Sequence, residues 1–249
     1  MLRVSASGTC LALFCSSAFA FSIAAFDPLG RKSNPPGRPQ TLHSDEARRP
    51  GGSRPDAPPH PPGLPDGPTA AGPVAGLRHA ATQGNAPAQL DLGLRYASGH
   101  GVPKDSAQAI RWIRLAADQG FDEAQYTLGC CYNNGDDLPK DAGEAMKWWR
   151  QAADQGHADA QYCLGLGYHL GEGVAQNLAT ATQWWGKAAK QDHPEAQYFL
   201  GLSYHRGLGV PRQEELALHW LRQAATHGSA NAREALAKLA KAPSVPGPK

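Results

Sequence analysis

The chain has 249 residues and a formal net charge of only +2. From Pro73 onward, 17 Lys and Arg residues balance 17 Asp and Glu residues. Because contacts with nucleic-acid phosphates need clustered positive charge, this neutral region is not expected to bind DNA or RNA.

The first 26 residues have the pattern of an export signal. Arg3 precedes an apolar run from Cys10 to Ala20, which ends in the small-x-small motif Ala18-Phe19-Ala20. This order is typical of a secretory signal peptide, so we predict cleavage of residues 1–20 and a secreted or periplasmic protein. The alternative is an uncleaved membrane anchor, because the segment from Gly8 to Phe26 carries no charge and is long enough for a marginal span.

A proline-rich stretch follows and is predicted to be a linker. Residues 21–73 contain 13 of the 21 prolines and few apolar side chains beyond Phe26. Such a segment cannot bury enough apolar area to offset the entropy lost on folding. We therefore predict a disordered linker over residues 21–72, a folded region over residues 73–242 and a flexible tail over residues 243–249.

The folded region repeats itself every 36 residues without an insertion. The most regular position holds alanine, which four times precedes glutamine: Ala88, Ala124, Ala160, Ala196 and Ala232. Gly, Tyr, a second Gly, Ala, Trp and an Ala pair recur at the same step. A strict period of this length indicates helical units that stack on one another, since no single unit can bury its apolar face alone.

Each unit is predicted to contain two helices joined by a glycine-rich turn. Apolar residues in the segment 123–134 recur at helical spacing, and Gly135 suits the end of that helix because glycine tolerates positive φ. Asp137 stands where the other three units have a second glycine, and aspartate enters the left-handed region at a cost. Asp141 is a good N-cap for the second helix, which Gly156 ends.

Small residues predict that the two helices pack closely. Gly129 and its equivalents lie in mid-helix, where glycine costs about 1 kcal/mol relative to alanine. That cost is sensible only if another helix passes close by. We expect Trp148, Trp184 and their equivalents to fill the core and not to form a carbohydrate platform, because packing must recur in every unit.

The repeated unit resembles a known family. It reads Ala-Gln-Tyr-x-Leu-Gly-x-x-Tyr-x-x-Gly-x-Gly-Val, then Asp-x-x-x-Ala-x-x-Trp-x-x-x-Ala-Ala-x-x-Gly. This pattern is similar to the Sel-one-like repeat (SLR), a relative of the tetratricopeptide repeat, from Pro73 to Lys241. The resemblance implies an all-α, right-handed α-solenoid of four full units with a half unit at each end. It also implies a scaffold for protein complexes, often exported in bacteria.

No catalytic or cofactor motif accompanies the repeats. The sequence lacks Gly-x-Ser-x-Gly, Ser-x-x-Lys and His-Glu-x-x-His, and no strand precedes its Gly-x-Gly stretches. We therefore predict no enzyme activity, no cofactor and no metal. The alternative function is a cell-wall-associated enzyme or enzyme regulator of the kind described for Cys-rich relatives, but the Cys pairs of those relatives are missing here.

Histidines give a weaker metal hypothesis. His157 and His193 sit at equivalent positions before first helices, and His169 and His205 sit at equivalent positions late in them. Each pair could share a metal, but this is not favoured because no carboxylate or Cys is expected to repeat with them.

Cysteines do not form a disulfide framework. Cys130, Cys131 and Cys163 do not recur at the 36-residue step. We interpret them as small buried apolar residues, with a single bridge from Cys163 to Cys130 or Cys131 as the alternative.

Variable positions predict the partner-binding surface. Residues that must pack keep their type from unit to unit, so positions that vary are free to contact a partner. On the first helices these positions form one stripe, and the resemblance implies that first helices line the concave side. The candidate residues are Asp91, Arg95, Ser98, Thr127, Cys131, Asn134, Leu170, Phe199, Ser203 and Arg206. Leu170 and Phe199 are expected to be exposed, which favours a protein or peptide partner; the alternative is that a neighbouring unit partly covers the stripe.

Overall fold

The computed structural model describes residues 74–135 and 137–241. The predicted signal peptide, linker and tail lie outside these residues. Over the described part, the chain forms ten α-helices and no strand. They are α1 (Ala75–Thr82), α2 (Ala86–Ser98), α3 (Ser106–Asp118), α4 (Asp122–Asn134), α5 (Ala142–Asp154), α6 (Ala158–Leu170), α7 (Leu178–Ala189), α8 (Pro194–Arg206), α9 (Glu214–Thr226) and α10 (Ala230–Lys241).

The helices stack in chain order into a solenoid. Each helix packs mainly on the helix before it and the helix after it. The first helices of the four full units are α2, α4, α6 and α8, and the second helices are α3, α5, α7 and α9. Helices α1 and α10 add a half unit at each end. The predicted all-α solenoid is confirmed, and none of the described helices is both long and apolar enough to cross a membrane.

The predicted signals set the helix ends. Asp105, Asp141 and Asn177 each accept a hydrogen bond from the backbone N–H three residues later, at 3.0 Å. Each first helix ends at a glycine with φ between 72° and 78°. Asp137 adopts the left-handed conformation at φ 60°, as the sequence predicted for this substitute for glycine. Gln213, the predicted weak cap, makes no side-chain cap bond.

The residue after the repeated tryptophan places a large side chain in the core of every full unit. Ile113, Trp149, Trp185 and Leu221 expose between 0% and 2% of their surface. The repeated tryptophans are less uniform, because Trp112 and Trp184 are buried whereas Trp148 and Trp220 are half-buried. The core assignment is therefore confirmed for Trp184, but in the second unit Trp149 fills the centre and Trp148 lies at its edge.

The mid-helix glycines make room for these deep residues. A Cβ at Gly129 would lie 2.5 Å from the Trp149 ring, and one at Gly93 would lie 2.7 Å from Ile113. Both distances are far inside van der Waals contact, so any larger residue would force the two helices apart. The close approach predicted from these glycines is confirmed.

A ladder of amide hydrogen bonds links the units through their buried side. In the four full units, the glutamine after the repeated alanine donates to the carbonyl eight residues earlier, near the end of the preceding second helix, at 3.0–3.2 Å. The side-chain oxygen of the same glutamine accepts a hydrogen bond from the side chain 30 residues later. The donors are Gln119, Gln155, Gln191 and His227, at 2.6–2.9 Å. Each unit thus supplies polar partners to both neighbours.

Replacing Trp149 by alanine should destabilise the protein far more than replacing Trp148. Trp149→Ala empties the core opposite Gly129 and is expected to cost about 3–5 kcal/mol of unfolding free energy. Trp148→Ala removes a half-exposed ring and should cost about 1–2 kcal/mol. Urea unfolding of both variants measures the difference, and a Trp148→Ala cost equal to that of Trp149→Ala would contradict the placement of the two rings.

Candidate partner-binding surface

The predicted stripe consists of three rows of repeat-equivalent positions, and only one stays open along the whole solenoid. This row, called the open row below, contains Ser98, Asn134, Leu170 and Arg206. Ser98 and Leu170 are exposed, the latter by 37%, and Asn134 and Arg206 are half-buried. The expected exposure of Leu170 is confirmed.

The row that begins at Asp91 closes after the first unit. Phe199 is only 3% exposed and stacks on Trp185 with ring centroids 4.9 Å apart. Thr127 is 6% exposed, and its hydroxyl donates to the Glu123 carbonyl at 2.7 Å. The expectation that Phe199 is an exposed apolar residue is therefore wrong, because this row packs on the preceding unit.

Asp91 stays half-buried because the preceding half unit is small. Helix α1 has only eight residues, and it carries Leu77 where the third unit has Trp185. Asp91 instead pairs with Arg95 one turn later, at 3.2 Å between Oδ1 and Nε. The structure thus brings these two candidates together at the N-terminal end of the stripe.

The row that begins at Arg95 also closes toward the C-terminus. Arg95 and Cys131 are half-buried, but Ser203 is 1% exposed and donates its hydroxyl to the Phe199 carbonyl at 2.9 Å. At the equivalent position of the third unit, a Cβ on Gly167 would collide with Met146. Of the ten candidates, Thr127, Phe199 and Ser203 therefore belong to the interior and seven remain accessible.

Two histidines clamp neighbouring units together. Nδ1 of His157 accepts a bond from the Ala160 N–H, so Nε2 carries the proton and faces Glu123 at 3.3 Å. The His157 ring also stacks on Tyr126 with centroids 4.7 Å apart. His193 repeats the arrangement with Asp159 at 3.1 Å and Tyr162 at 4.8 Å. These rings are N-caps that bridge units.

The clamps perturb the ionisation of their members. Burial disfavours the charged form of His157, but the hydrogen bond to Glu123 and the surrounding carboxylates outweigh it and raise the pKa of the ring. The hydrogen bond from His193 lowers the pKa of Asp159 against the opposing effect of burial. Glu123, Asp159 and Glu195 recur at the 36-residue step, so the expectation that no carboxylate repeats with these histidines is wrong. Each contacted carboxylate lies 34 residues before its histidine, in the preceding unit.

Near the open row, burial and the charge of Arg206 lower the pKa of His169. Its equivalent His205 instead faces the Glu214 carboxylate, with Nδ1 2.9 Å from Oε1. Neither ring belongs to a group of three or more metal-ligating side chains within the described residues.

The cysteines are part of the packing. Cys130 and Cys163 are buried in the main apolar cluster, and Cys131 is half-buried. The interpretation of small buried apolar residues is therefore supported for Cys130 and Cys163 but not for Cys131.

Repeated helix pairs of this kind define an α-solenoid repeat protein. The family model "Sel1 repeat" matches residues 86–121, 122–157, 158–193 and 194–229, one match for each full unit. The matches cover more than half of the sequence, so the chain belongs to the Sel1 repeat family. Proteins of this family are typically scaffolds for protein–protein interaction and are generally non-catalytic.

Two solved structures are similar over 67% of the chain. One is c5321, a protective antigen present in uropathogenic Escherichia coli strains with an SLR fold, at 38% identity and a TM-score of 0.66. The other is a Sel1 repeat protein from Oxalobacter formigenes, at 39% identity and a TM-score of 0.63. The chain covers 36% and 48% of those proteins, respectively. No curated protein matches the sequence.

Replacing Leu170 or Phe199 by aspartate should distinguish the exposed candidate from the buried one by the loss of stability. Phe199→Asp removes a buried ring and buries a carboxylate, so it is expected to lower the unfolding free energy by more than about 3 kcal/mol. Leu170→Asp changes an exposed side chain and should stay within about 0.5 kcal/mol of wild type. Thermal and urea unfolding test both, and a stable Phe199→Asp variant would show that this side chain is not packed as described.

Proposed function

We propose that the protein is an exported, non-enzymatic scaffold that binds a protein or peptide along the face formed by its first helices. The observation that carries the proposal is the open row, where a large apolar side chain, Leu170, is exposed between polar neighbours. Exposed apolar residues rimmed by polar ones are typical of protein interaction sites.

The chemistry of the open row supports a specific partner. The four residues of this row differ in type from unit to unit: Ser98, Asn134, Leu170 and Arg206. The residue that follows each of them is glycine in every unit. Since the repeated residues satisfy stacking, the information that selects a partner resides in what differs. Arginine is frequent among residues that dominate binding energy, so Arg206 beside Leu170 is the expected energetic centre.

The N-terminal end of the same face carries one pair of opposite charges. Asp91 and Arg95 are half-buried and ion-paired with each other, so their net charge is zero. Surface ion pairs contribute little stability, which leaves both side chains available to exchange partners on binding. The proposed surface therefore offers a polar end and an apolar centre to one extended ligand.

The chain contains a matched pair of leucines for testing this face. Leu170 lies on first helix α6 and Leu216 on second helix α9, and both are 37% exposed. With a photo-cross-linking amino acid at position 134 of the full chain, Leu170→Asp should reduce cross-linking to the partner by about tenfold or more. Leu216→Asp should leave the yield unchanged, and melting curves of both variants should match wild type.

The opposite pattern would place binding on the second helices and overturn the choice of face. If both variants retain full cross-linking, the apolar centre of the open row does not contribute to binding. A chain that cross-links no partner from any open-row position and turns over a small molecule would remove the scaffold proposal altogether.

Export is proposed from the N-terminal pattern of Arg3, the apolar run and Ala20. N-terminal sequencing of the full-length gene product, recovered from the envelope or medium of its host, is expected to begin at Phe21. Retention of residues 1–20 in a membrane fraction would favour the anchor alternative. Retention of these residues in the cytosol would contradict export.

A further inference from the structure

Three arginines hold the tyrosine of the following unit in the same way. Each guanidinium Nη2 donates to a tyrosine hydroxyl 18 residues later in the chain. The pairs are Arg78–Tyr96 at 3.0 Å, Arg114–Tyr132 at 2.6 Å and Arg150–Tyr168 at 2.6 Å. The arginine comes from a helix in the second position of a unit and the tyrosine from the next first helix, so the contact recurs at the 36-residue step.

Aromatic rings complete the guanidinium site. The Arg150 guanidinium carbon lies 4.9 Å from the Trp184 ring centroid and 5.8 Å from that of Tyr168. Arg114 lies 6.0 Å from the Tyr132 ring centroid. None of the three arginines forms an ion pair within the described residues. Arg150 is therefore held by a phenol oxygen and two aromatic rings, Arg114 by a phenol oxygen and one ring, and Arg78 by a phenol oxygen.

At the fourth equivalent position the arginine is replaced by Gly186. The aromatic part of the site is retained, since Tyr204 and Trp220 occupy the positions of Tyr168 and Trp184 and both are half-buried. A Cβ placed on Gly186 would meet no atom within 4 Å. Among the described residues, no side chain or backbone group hydrogen-bonds to the Tyr204 hydroxyl.

We propose that Gly186, Tyr204 and Trp220 form a binding site for an arginine side chain of a partner protein. We call it the Gly186 site. The partner guanidinium would occupy the place that the chain's own arginines fill in the three preceding positions, donating to the Tyr204 hydroxyl and stacking on the rings. A planar guanidinium suits this geometry better than an ammonium, because it stacks and donates at the same time.

The neighbouring charges leave the site open to a cation. Lys187 follows Gly186, but its Nζ lies 3.7 Å from the Trp184 ring centroid, in the same helix. His219 packs edge-on against Trp220 with centroids 5.3 Å apart. The Gly186 site is formed by second helices α7 and α9 together with first helix α8, and it contains no residue of the open row. It therefore goes beyond the proposed function, and either proposal can fail while the other stands.

The first test supplies the missing arginine from within the chain. Gly186→Ala adds only helix propensity and should raise the melting temperature by about 2–4 °C. Gly186→Arg should exceed that gain, since it also restores the contacts with Tyr204 and Trp220. Alanine is a stringent control because it is the better helix former, so a higher melting temperature of Gly186→Arg must come from contacts of the arginine side chain. A Gly186→Arg variant no more stable than Gly186→Ala would overturn the site geometry.

The second test measures binding of N-acetyl-arginine-N-methylamide to the full chain by NMR. The indole N–H signal of Trp220, assigned with Trp220→Phe, is expected to shift and to saturate at millimolar ligand, whereas the other five indole signals stay in place. The lysine analogue should bind more weakly. Tyr204→Phe should weaken arginine binding about threefold or more, because it deletes the acceptor oxygen.

Gly186→Arg should abolish the shift, and Gly186→Ala should retain it. Absence of a Trp220 shift in the wild-type chain overturns the proposal. So does an equal shift in Gly186→Arg, or a shift of similar size at all six indoles, since both would indicate nonspecific association.

Discussion

The fold depends on the close approach of a backbone without a side chain to a large buried side chain. In the second unit Gly129 faces Trp149, and in the third Gly165 faces Trp185. Aromatic rings are expensive to leave in water, and here each finds a slot that only glycine can provide. This contact brings the two helices of a unit close together, and it recurs in all four full units.

The repeat made most of the architecture predictable from sequence. Caps such as Asp105 and Asp141 and the glycines that end first helices act within a few residues, so their effect is visible in a single chain. Asp137 could be predicted at positive φ because the other units have glycine at its position. Which of Trp148 and Trp149 lies deeper could not be predicted, because adjacent residues in a helix differ by 100° in direction. A small rotation of the helix decides which of the two faces the core.

The surface was harder to predict, and Phe199 shows why. A position can vary either because nothing packs on it or because its packing partner varies as well. Phe199 stacks on Trp185, which is replaced by Leu77, Ile113 and Trp149 at the equivalent positions. Leu170, by contrast, occupies a variable position whose side chain is exposed. The histidine clamps were missed for a different reason, because the carboxylate that each histidine contacts lies 34 residues earlier, in the preceding unit, and a single sequence does not show which residues of neighbouring units meet.

The fixed offsets of the contacts between units have a consequence for how such a chain can grow. Amide donors of the ladder lie 30 residues after their acceptors, clamp histidines 34 after their carboxylates, and ring-holding arginines 18 before their tyrosines. A duplicated segment of 36 residues therefore carries with it the partners for these three kinds of contact at both of its new junctions. The solenoid can lengthen by whole units without inventing a contact, and a change in a single copy, such as glycine at position 186, can then alter one junction while the others continue to hold the stack.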